Sequence, residues 1–128
     1  MIFPTLRYRD AVAAIDWLVA AFGFESSAVH LTPDGKVGHA ELKFGAGLVM
    51  VNSAPDGFSA EPPADFRMTP CSLYLHVSDV DSHHARAKAA GAEITMELTD
   101  MDYGSREYSA RDLEGNHWHF GSYLPEIW

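Results

Sequence analysis

The same order of strand, helix cap, glycine and turn occurs twice along this 128-residue chain, and this repetition constrains the fold more than any other feature. The landmarks are Leu6 and Leu75, Asp10 and Asp79, Gly23 and Gly91, and Gly47 and Gly115. The members of each pair are 68 or 69 residues apart, and the pairs keep one order along the chain. Four such matches are hard to produce by chance, so the sequence predicts two copies of one supersecondary unit.

The first copy is predicted to begin with a strand and an amphipathic helix. Residues 2–9 alternate apolar and polar side chains, as a strand with one buried face does. Asp10 can cap a helix and Gly23 can end it in the left-handed conformation. The core-facing stripe of this helix is predicted to be Val12, Ile15, Val19 and Phe22. An extended segment at 24–32, a turn at 33–35, and strands at 38–44 and 48–53 complete a β-α-β-β-β order.

The second copy repeats this order and ends in a β-hairpin. Its predicted elements are a strand at 72–78, a helix capped by Asp79 and ended by Gly91, an extended segment at 92–98, a turn at 99–104, and hairpin strands at 105–112 and 117–123. The helix is expected to turn Val80, His84, Ala87 and Ala90 inward. On the last strand Trp118 and Phe120 share one face, while His117 and His119 share the other. We therefore expect a sheet with an apolar back and a polar, accessible front.

A proline-rich segment separates the two copies. Residues 54–70 contain Pro55, Pro62, Pro63 and Pro70 and show no sustained periodicity, which is typical of a linker or a surface loop. We therefore expect one domain, 1–128, made of a first repeat at 1–53, the linker at 54–70 and a second repeat at 71–128. A chain of this length can bury a core.

The composition argues against several kinds of partner. The chain has 18 acidic and 9 basic residues, a formal net charge of -9, and the basic residues are scattered, so no nucleic acid partner is expected. A cationic ligand would be attracted by such a field. No apolar run is long enough for a membrane span and no export signal is evident, which makes the cytoplasm the expected compartment. The lone Cys71 permits no intramolecular disulfide.

Three segments carry a resemblance to a known superfamily. They are LRYRDAVAAIDWLVAAFGFE at 6–25, LYLHVSDVDSHHARAKAAGAE at 73–93, and YGSREYSARDLEGNHWHFGS at 103–122. Together with the repeat they resemble the vicinal oxygen chelate superfamily, most closely its bleomycin resistance and glyoxalase-like branch. The resemblance implies an α+β fold in which two βαβββ repeats form curved mixed sheets, a cup with helices on the outer face and a ligand inside. It also implies a homodimer, and leaves open whether one chain or two form the cup.

Strand alternation assigns the residues that would line this cup. Apolar pairs such as Trp118 and Phe120 would pack on the helices, and the opposite faces would meet the ligand. The candidate ligand-binding residues from alternation are Phe3, Thr5, Arg7, His39, Glu41, Met50, Asn52, Ser72, Tyr74, His76, His117 and His119. Arg106 and Glu107, at the start of the penultimate strand, are candidates as well, since they either position a ligand or pair charges at the rim of the cup. A register error of one residue would exchange the two faces of the strand concerned.

The resemblance also locates the positions that hold a metal in metal-dependent relatives. Counted from the strand landmarks, these positions are Phe3, Met50, Ser72 and His119 in this chain. Phe3 and Met50 cannot ligate a hard cation and Ser72 would be a poor ligand, so no cofactor is expected. A displaced divalent metal site that uses His117 and His119 is a disfavoured alternative, since histidines two apart on a strand point the same way.

Three functions follow from these observations. We expect a small-molecule binding protein that sequesters a cationic or aromatic compound in the cup without a metal, and not an enzyme, because three of the four metal positions lack suitable ligands. The alternative is a glyoxalase-like lyase or isomerase, or a dioxygenase-type enzyme, that uses a displaced metal or His119 as a general base. In a third interpretation the cup is filled by its own side chains and the protein is only a dimer scaffold.

Overall fold

Eight strands, two α-helices and one 3₁₀ helix form the regular structure of the computed structural model, which describes residues 1–59 and 61–127. The chain divides into two compact units, Met1–Ala60 and Glu61–Trp128. The first unit contains β1 Thr5–Tyr8, α1 Ala11–Phe22, β2 Glu25–Leu31, β3 Val37–Phe44 and β4 Gly47–Ser53. The second unit contains the 3₁₀ helix Phe66–Met68, β5 Leu73–His76, α2 Val80–Ala89, β6 Glu93–Asp100, β7 Arg106–Arg111 and β8 His117–Gly121. The predicted α+β class with two βαβββ units is confirmed.

Each unit has one four-stranded mixed sheet, and the two sheets have the same topology. The strand orders are β1-β4-β3-β2 and β5-β8-β7-β6, with one parallel pair in each sheet. In the parallel pairs Thr5 lies opposite Met50, and Tyr74 lies opposite His119. Thr5 and Tyr74 are 69 residues apart, as are Met50 and His119, so the repeat seen in the sequence is also a repeat of strand register.

Helix α1 begins and ends at the predicted residues. The side chain of Asp10 accepts a hydrogen bond of 3.1 Å from the backbone N–H of Ala13, and Gly23 follows the helix at φ 81°. The buried residues of the helix are Ala11, Ala14, Ile15, Leu18, Ala21 and Phe22. The prediction that Val12 faces the core is wrong, since Val12 is 47% exposed. The buried stripe is rotated toward Ala11, Ala14 and Ala21.

Helix α2 is capped in the same way but has a smaller buried face. The carboxylate of Asp79 accepts from the backbone N–H of Ser82 at 3.1 Å, and Gly91 has φ 88°. Val80 and Ala87 are its buried residues, whereas the predicted inward residues His84 and Ala90 are half-buried. Because α2 supplies little apolar volume, side chains of the second sheet must fill the space between the helix and the sheet.

Aromatic rings fill that space on the back of the second sheet. Tyr108 on β7 and Phe120 on β8 stack with centroids 4.9 Å apart, and the ring of His83 lies 4.4 Å from Phe120. Trp118 is fully buried beside them and donates its indole N–H to the carboxylate of Asp112 at 3.0 Å. The predicted apolar back of this sheet is therefore present, and the aromatic side chains of β7 and β8 supply most of its volume.

Three segments differ most from the sequence-based expectation. Strand β1 begins at Thr5, not at residue 2, because the pairing with β4 starts at Thr5 and Met50. Residues 66–68, predicted as linker or loop, form a 3₁₀ helix capped by the side chain of Asp65. Strand β6 continues into the predicted turn at 99–104, since Asp100 still pairs with Arg106. Within the described residues, no helix has the length and apolar character needed to span a bilayer.

Candidate ligand pocket on the second sheet

A cavity of about 650 Å³ lies on the front of the second sheet, the face opposite Trp118 and Phe120. It belongs entirely to the second unit. Its lining residues are Phe66, Ser72, Tyr74, Thr95, Met96, Met101, Tyr103, Glu107, Ser109, His119, Tyr123 and Pro125. The cavity is within the size range of small-molecule sites, and its wall is mainly aromatic and apolar with a few polar groups.

Strand alternation brings the polar groups of the pocket together. Glu107 and Ser109 on β7 point to the same face as His119 on β8, because Ser109 pairs with His119 and Glu107 pairs with Gly121. A Cβ atom at Gly121 would lie 2.7 Å from both the Tyr74 hydroxyl and the Glu107 side chain. The absence of a side chain at this position therefore lets Tyr74 and Glu107 approach each other across the sheet.

His119 is half-buried in the pocket wall. Its Nδ1 lies 2.6 Å from the hydroxyl oxygen of Ser109, and the ring of Phe66 meets the imidazole edge-on with centroids 5.0 Å apart. Desolvation by burial lowers the pKa of His119 below 6.5, the nearby His117 lowers it further, and Glu107 acts in the opposite direction. The imidazole is therefore neutral at pH 7 and can accept one hydrogen bond and donate another.

Glu107 places a carboxylate beside the aromatic rings. The hydroxyl of Tyr103 donates to Oε2 of Glu107 at 2.8 Å, and this hydrogen bond raises the pKa of Tyr103 to about 12. The hydroxyl of Tyr74 donates to the backbone oxygen of Tyr123 at 2.6 Å, which fixes the ring of Tyr74 and the segment after β8 against each other. Burial raises the pKa of Tyr74 as well, so both phenols are neutral donors at physiological pH.

The structure brings together some of the predicted site residues of the second repeat. Ser72, Tyr74, Glu107 and His119 line the pocket. Arg106 points to the other face, where its guanidinium binds the carboxylates of Asp81 at 2.7 Å and Asp100 at 3.0 Å. This follows from alternation along β7, since Arg106 and Glu107 are adjacent and cannot share a face.

His117 and His76 lie outside this cavity. His117 is 4% exposed, and its Nε2 lies 2.6 Å from the backbone oxygen of Pro63. His76 is exposed at the end of β5, opposite Gly121. His117 shares a face with His119, as predicted, but the segment before β5 covers it.

The predicted site residues of the first repeat lie on the first sheet. His39 and Glu41 are hydrogen-bonded through Nε2 and Oε2 at 2.8 Å. Glu41 also lies opposite Met50 in the sheet. Thr5 and Arg7 are exposed on β1, Met50 and Asn52 are half-buried on β4, and Phe3 precedes β1 with 45% of its surface exposed.

Sequence reasoning missed several residues that line the pocket. They are Phe66, Thr95, Met96, Met101, Tyr103, Ser109, Tyr123 and Pro125. Ser109 could have been found, because it is two residues from Glu107 on one strand and so shares its face. Phe66 could not, because it belongs to a segment without periodicity whose path the sequence does not specify.

The donor set at the family's metal positions does not fit a divalent cation. Met50 is the register equivalent of His119, and neither its thioether nor the ring of Phe3 ligates a hard cation. In the part of the chain that the structure describes, no three His, Cys, Asp or Glu side chains converge in a metal-binding arrangement. The polar groups that the pocket itself offers to a ligand are hydroxyls, one imidazole and one carboxylate.

Comparison with known proteins agrees with the repeat and the fold. The model of the glyoxalase/bleomycin resistance protein/dioxygenase superfamily matches residues 3–120. The uncharacterized protein Mb0911c of Mycobacterium bovis is 35% identical over 127 residues, which cover 97% of this chain and 84% of the relative. The crystal structure of TioX from Micromonospora sp. ML1 has a TM-score of 0.77 at 35% identity, and the match covers 100% of this chain and 99% of TioX.

A more distant structure shares the fold alone. The fosfomycin resistance protein FosX from Listeria monocytogenes, solved with Mn(II) and sulfate, is 14% identical with a TM-score of 0.71, and the match covers 97% of this chain and 92% of FosX. The family model spans nearly all of both repeats, and TioX matches the chain from end to end. The chain therefore belongs to the glyoxalase/bleomycin resistance protein/dioxygenase superfamily.

Proposed function

We propose that the protein binds a flat, cationic aromatic compound in the pocket on its second sheet, and that it does so without a metal. The observation that carries this proposal is the composition of the wall, in which four aromatic side chains and two methionines surround one carboxylate. Phe66, Tyr74, Tyr103 and Tyr123 supply the rings, and Glu107 is the one acidic group among the described lining residues. None of those residues is a lysine or an arginine.

The physical chemistry of this wall favours a flat cation. Aromatic faces attract a cation through their quadrupole and stack on a planar ring. The carboxylate of Glu107 can accept a charge-assisted hydrogen bond while it keeps the bond from Tyr103. The formal net charge of -9 adds a long-range attraction for cations. The superfamily's name includes bleomycin resistance proteins, which supports a small-molecule ligand.

Calorimetric titration with a panel of aromatic cations, proflavine among them, tests the proposal. We expect saturable binding to the wild type, and no binding at millimolar ligand would contradict it. Glu107→Gln removes the charge but keeps an acceptor for Tyr103. The loss of a charged hydrogen bond, about 1.5–3 kcal/mol, should weaken proflavine binding roughly tenfold to a hundredfold.

Glu97→Gln is the matched control. It makes the same chemical change on β6, but Glu97 contacts His84 of α2 at 2.9 Å and so lies on the helix side of the sheet. We expect its affinity for proflavine to equal that of the wild type. Equal losses in the two variants would mean that net charge, and not the pocket, attracts the ligand.

Metal independence has its own test. Elemental analysis of protein purified without chelators should find no stoichiometric divalent metal, because the donor set at the family's metal positions is unsuitable. One equivalent of a transition metal that survives dialysis would contradict this part of the proposal.

The Ser109–His119 contact favours a second candidate function, a lyase or isomerase with His119 as general base. A neutral imidazole at 2.6 Å from a hydroxyl is oriented and can accept a proton from a carbon next to a carbonyl. Exchange of such protons for deuterium in a panel of hydroxyketones, followed by NMR, would reveal this activity. His119→Ala should abolish the exchange, and unchanged exchange would eliminate the histidine mechanism.

We also propose that the protein acts as a homodimer in the cytoplasm. The fold resembles a superfamily in which cups are commonly completed across a dimer, and the exposed thiol of Cys71 suits a reducing compartment. Light scattering of the purified protein tests the dimer, and a monomer mass at micromolar concentration would contradict it.

A further inference from the structure

Tyr103 lies at the rim of the aromatic pocket, on the turn that joins β6 to β7. The backbone N–H of Met101 donates to the carbonyl oxygen of Ser105 at 2.7 Å, and the N–H of Gly104 donates to that of Met101 at 3.1 Å. Tyr103 is 61% exposed, and its ring lies edge-on to that of Tyr123 with centroids 6.4 Å apart. The turn therefore presents a phenol to the pocket from a hydrogen-bonded backbone.

The side chain of Glu107 lies beside two phenols of the pocket. The hydroxyl of Tyr103 donates to its Oε2 at 2.8 Å. The hydroxyl of Tyr74 and the Cγ atom of Glu107 both lie 2.7 Å from the point where a Cβ atom at Gly121 would be. These two side chains thus share the space above the glycine, and a side chain at position 121 would displace one of them.

The second oxygen of this carboxylate is available to a ligand. Oε2 accepts from Tyr103, whereas Oε1 accepts no hydrogen bond from the residues that the structure describes. Oε1 is also accessible to solvent, since among those residues the buried side-chain atoms without a partner are Oδ1 of Asn52 and Nδ1 of His117. Glu107 lines the cavity. An N–H donor bound there therefore has an unoccupied, charged acceptor in Oε1.

The bond from Tyr103 orients the carboxylate before a ligand arrives. The terminal torsion of a glutamate has a broad range, so a carboxylate without this bond loses more conformational freedom when it accepts a hydrogen bond from a ligand. A ligand that donates an N–H gains from the orientation, because a hydrogen bond depends on direction. A cation without an N–H gains only the attraction of the charge and the ring contacts, which depend little on how the carboxylate is turned.

We infer that Tyr103 is a positioning residue for Glu107, and that the ligands of the pocket are planar aromatic cations that donate an N–H to Oε1 of this carboxylate. The inference rests on the proposed function and narrows its ligand class. Tyr103 then has two roles, since its ring is part of the pocket wall and its hydroxyl orients the acceptor.

The test is calorimetric titration with two planar tricyclic cations. Proflavine carries N–H groups, whereas the nitrogens of methylene blue carry no hydrogen. Tyr103→Phe keeps the ring and removes the hydroxyl. It should weaken proflavine binding roughly threefold to tenfold, the range for one hydrogen bond, and leave the binding of methylene blue unchanged. Tyr103→Leu removes the ring as well and should weaken the binding of both cations.

Glu107→Gln is the matched comparison, because it removes the charge but keeps an oxygen acceptor for Tyr103. It should weaken the binding of both cations, since the charge attracts each of them. Equal losses for the two cations in Tyr103→Phe, or proflavine binding that is unchanged or tighter, would overturn the inference and leave the proposed function standing. Absence of proflavine binding by the wild type would overturn both. Circular dichroism of each variant confirms that it is folded.

Discussion

The two sheets have the same backbone pairing and different chemistry on their front faces. In the first sheet Met50 lies between Thr5 and Glu41, and in the second sheet His119 lies between Tyr74 and Ser109. Register is therefore retained in the repeat, while the side chains that decide function are not. The position of a residue in this fold sets where its side chain points and which neighbours it lies between. The residue type then decides whether that side chain can bind a metal, contact a ring or do neither.

The backs of the sheets differ as well. Helix α1 buries six residues against the first sheet, whereas α2 buries only Val80 and Ala87. The second unit compensates with large rings on its strands, and Trp118, Tyr108 and Phe120 are all fully buried. The helix of the first unit thus buries more residues than the helix of the second, and the second unit relies more on the aromatic side chains of β7 and β8.

The largest expected effect tests this difference in the cores. Trp118→Ala removes a fully buried ring and its hydrogen bond to Asp112, and should lower the free energy of unfolding by about 3–5 kcal/mol. Its equivalent in the first sheet is Val49, which is 7% exposed, and Val49→Ala should cost about 2 kcal/mol. Urea unfolding followed by circular dichroism measures both. Equal costs would show that the strands of the two units contribute alike, contrary to the comparison.

The repeat, the caps and the faces of the strands could be predicted from the sequence because they depend on local rules. Asp10 and Asp79 cap helices, and Gly23 and Gly91 follow them with positive φ, as their residue types indicate. The hairpin turn was also predictable, since the side chain of Asp112 accepts from the backbone N–H groups of Glu114 and Asn116.

The remainder of the site depended on long-range packing. The segment at 54–70 has no periodicity, so nothing in it indicated that Phe66 would lie against His119, or that Pro63 would accept from His117. Most residues of α1 are apolar, so the sequence did not specify that Val12 would be the exposed one. Sequence alternation thus assigned His119 to the correct face, but tertiary contacts decided its neighbours.

Removal of the helix caps should have an intermediate effect on the free energy of unfolding, and this effect should be similar in the two units. Asp10→Ala and Asp79→Ala each remove a carboxylate that accepts at 3.1 Å from a first-turn amide, so each should cost about 1 kcal/mol. Asp79 also accepts from the hydroxyl of Ser82 at 2.8 Å, which should make its loss slightly larger. Urea unfolding measures both variants. A difference of more than about 2 kcal/mol would mean that the caps are not equivalent.

The smallest expected effect distinguishes His119 from Met50. Burial lowers the pKa of His119 below 6.5, so the folded protein binds this proton more weakly than the unfolded chain does. The contribution of this group to stability is therefore fully present above about pH 6.5 and is lost as the pH falls through the folded-state pKa. His119→Gln should remove this loss. The unfolding free energy of the wild type should therefore fall relative to that of the variant between pH 7 and about pH 5.

Met50→Gln is the matched control in the first sheet. It makes a polar change at the register equivalent of His119 but removes no titratable group, so its difference from the wild type should not vary with pH. Urea unfolding at a series of pH values gives both differences. A constant offset for His119→Gln would show that its imidazole titrates alike in the folded and unfolded chain, and that the pocket does not desolvate it. A pH-dependent offset confined to His119→Gln would instead assign the chemical difference between the two equivalent positions to the desolvated imidazole.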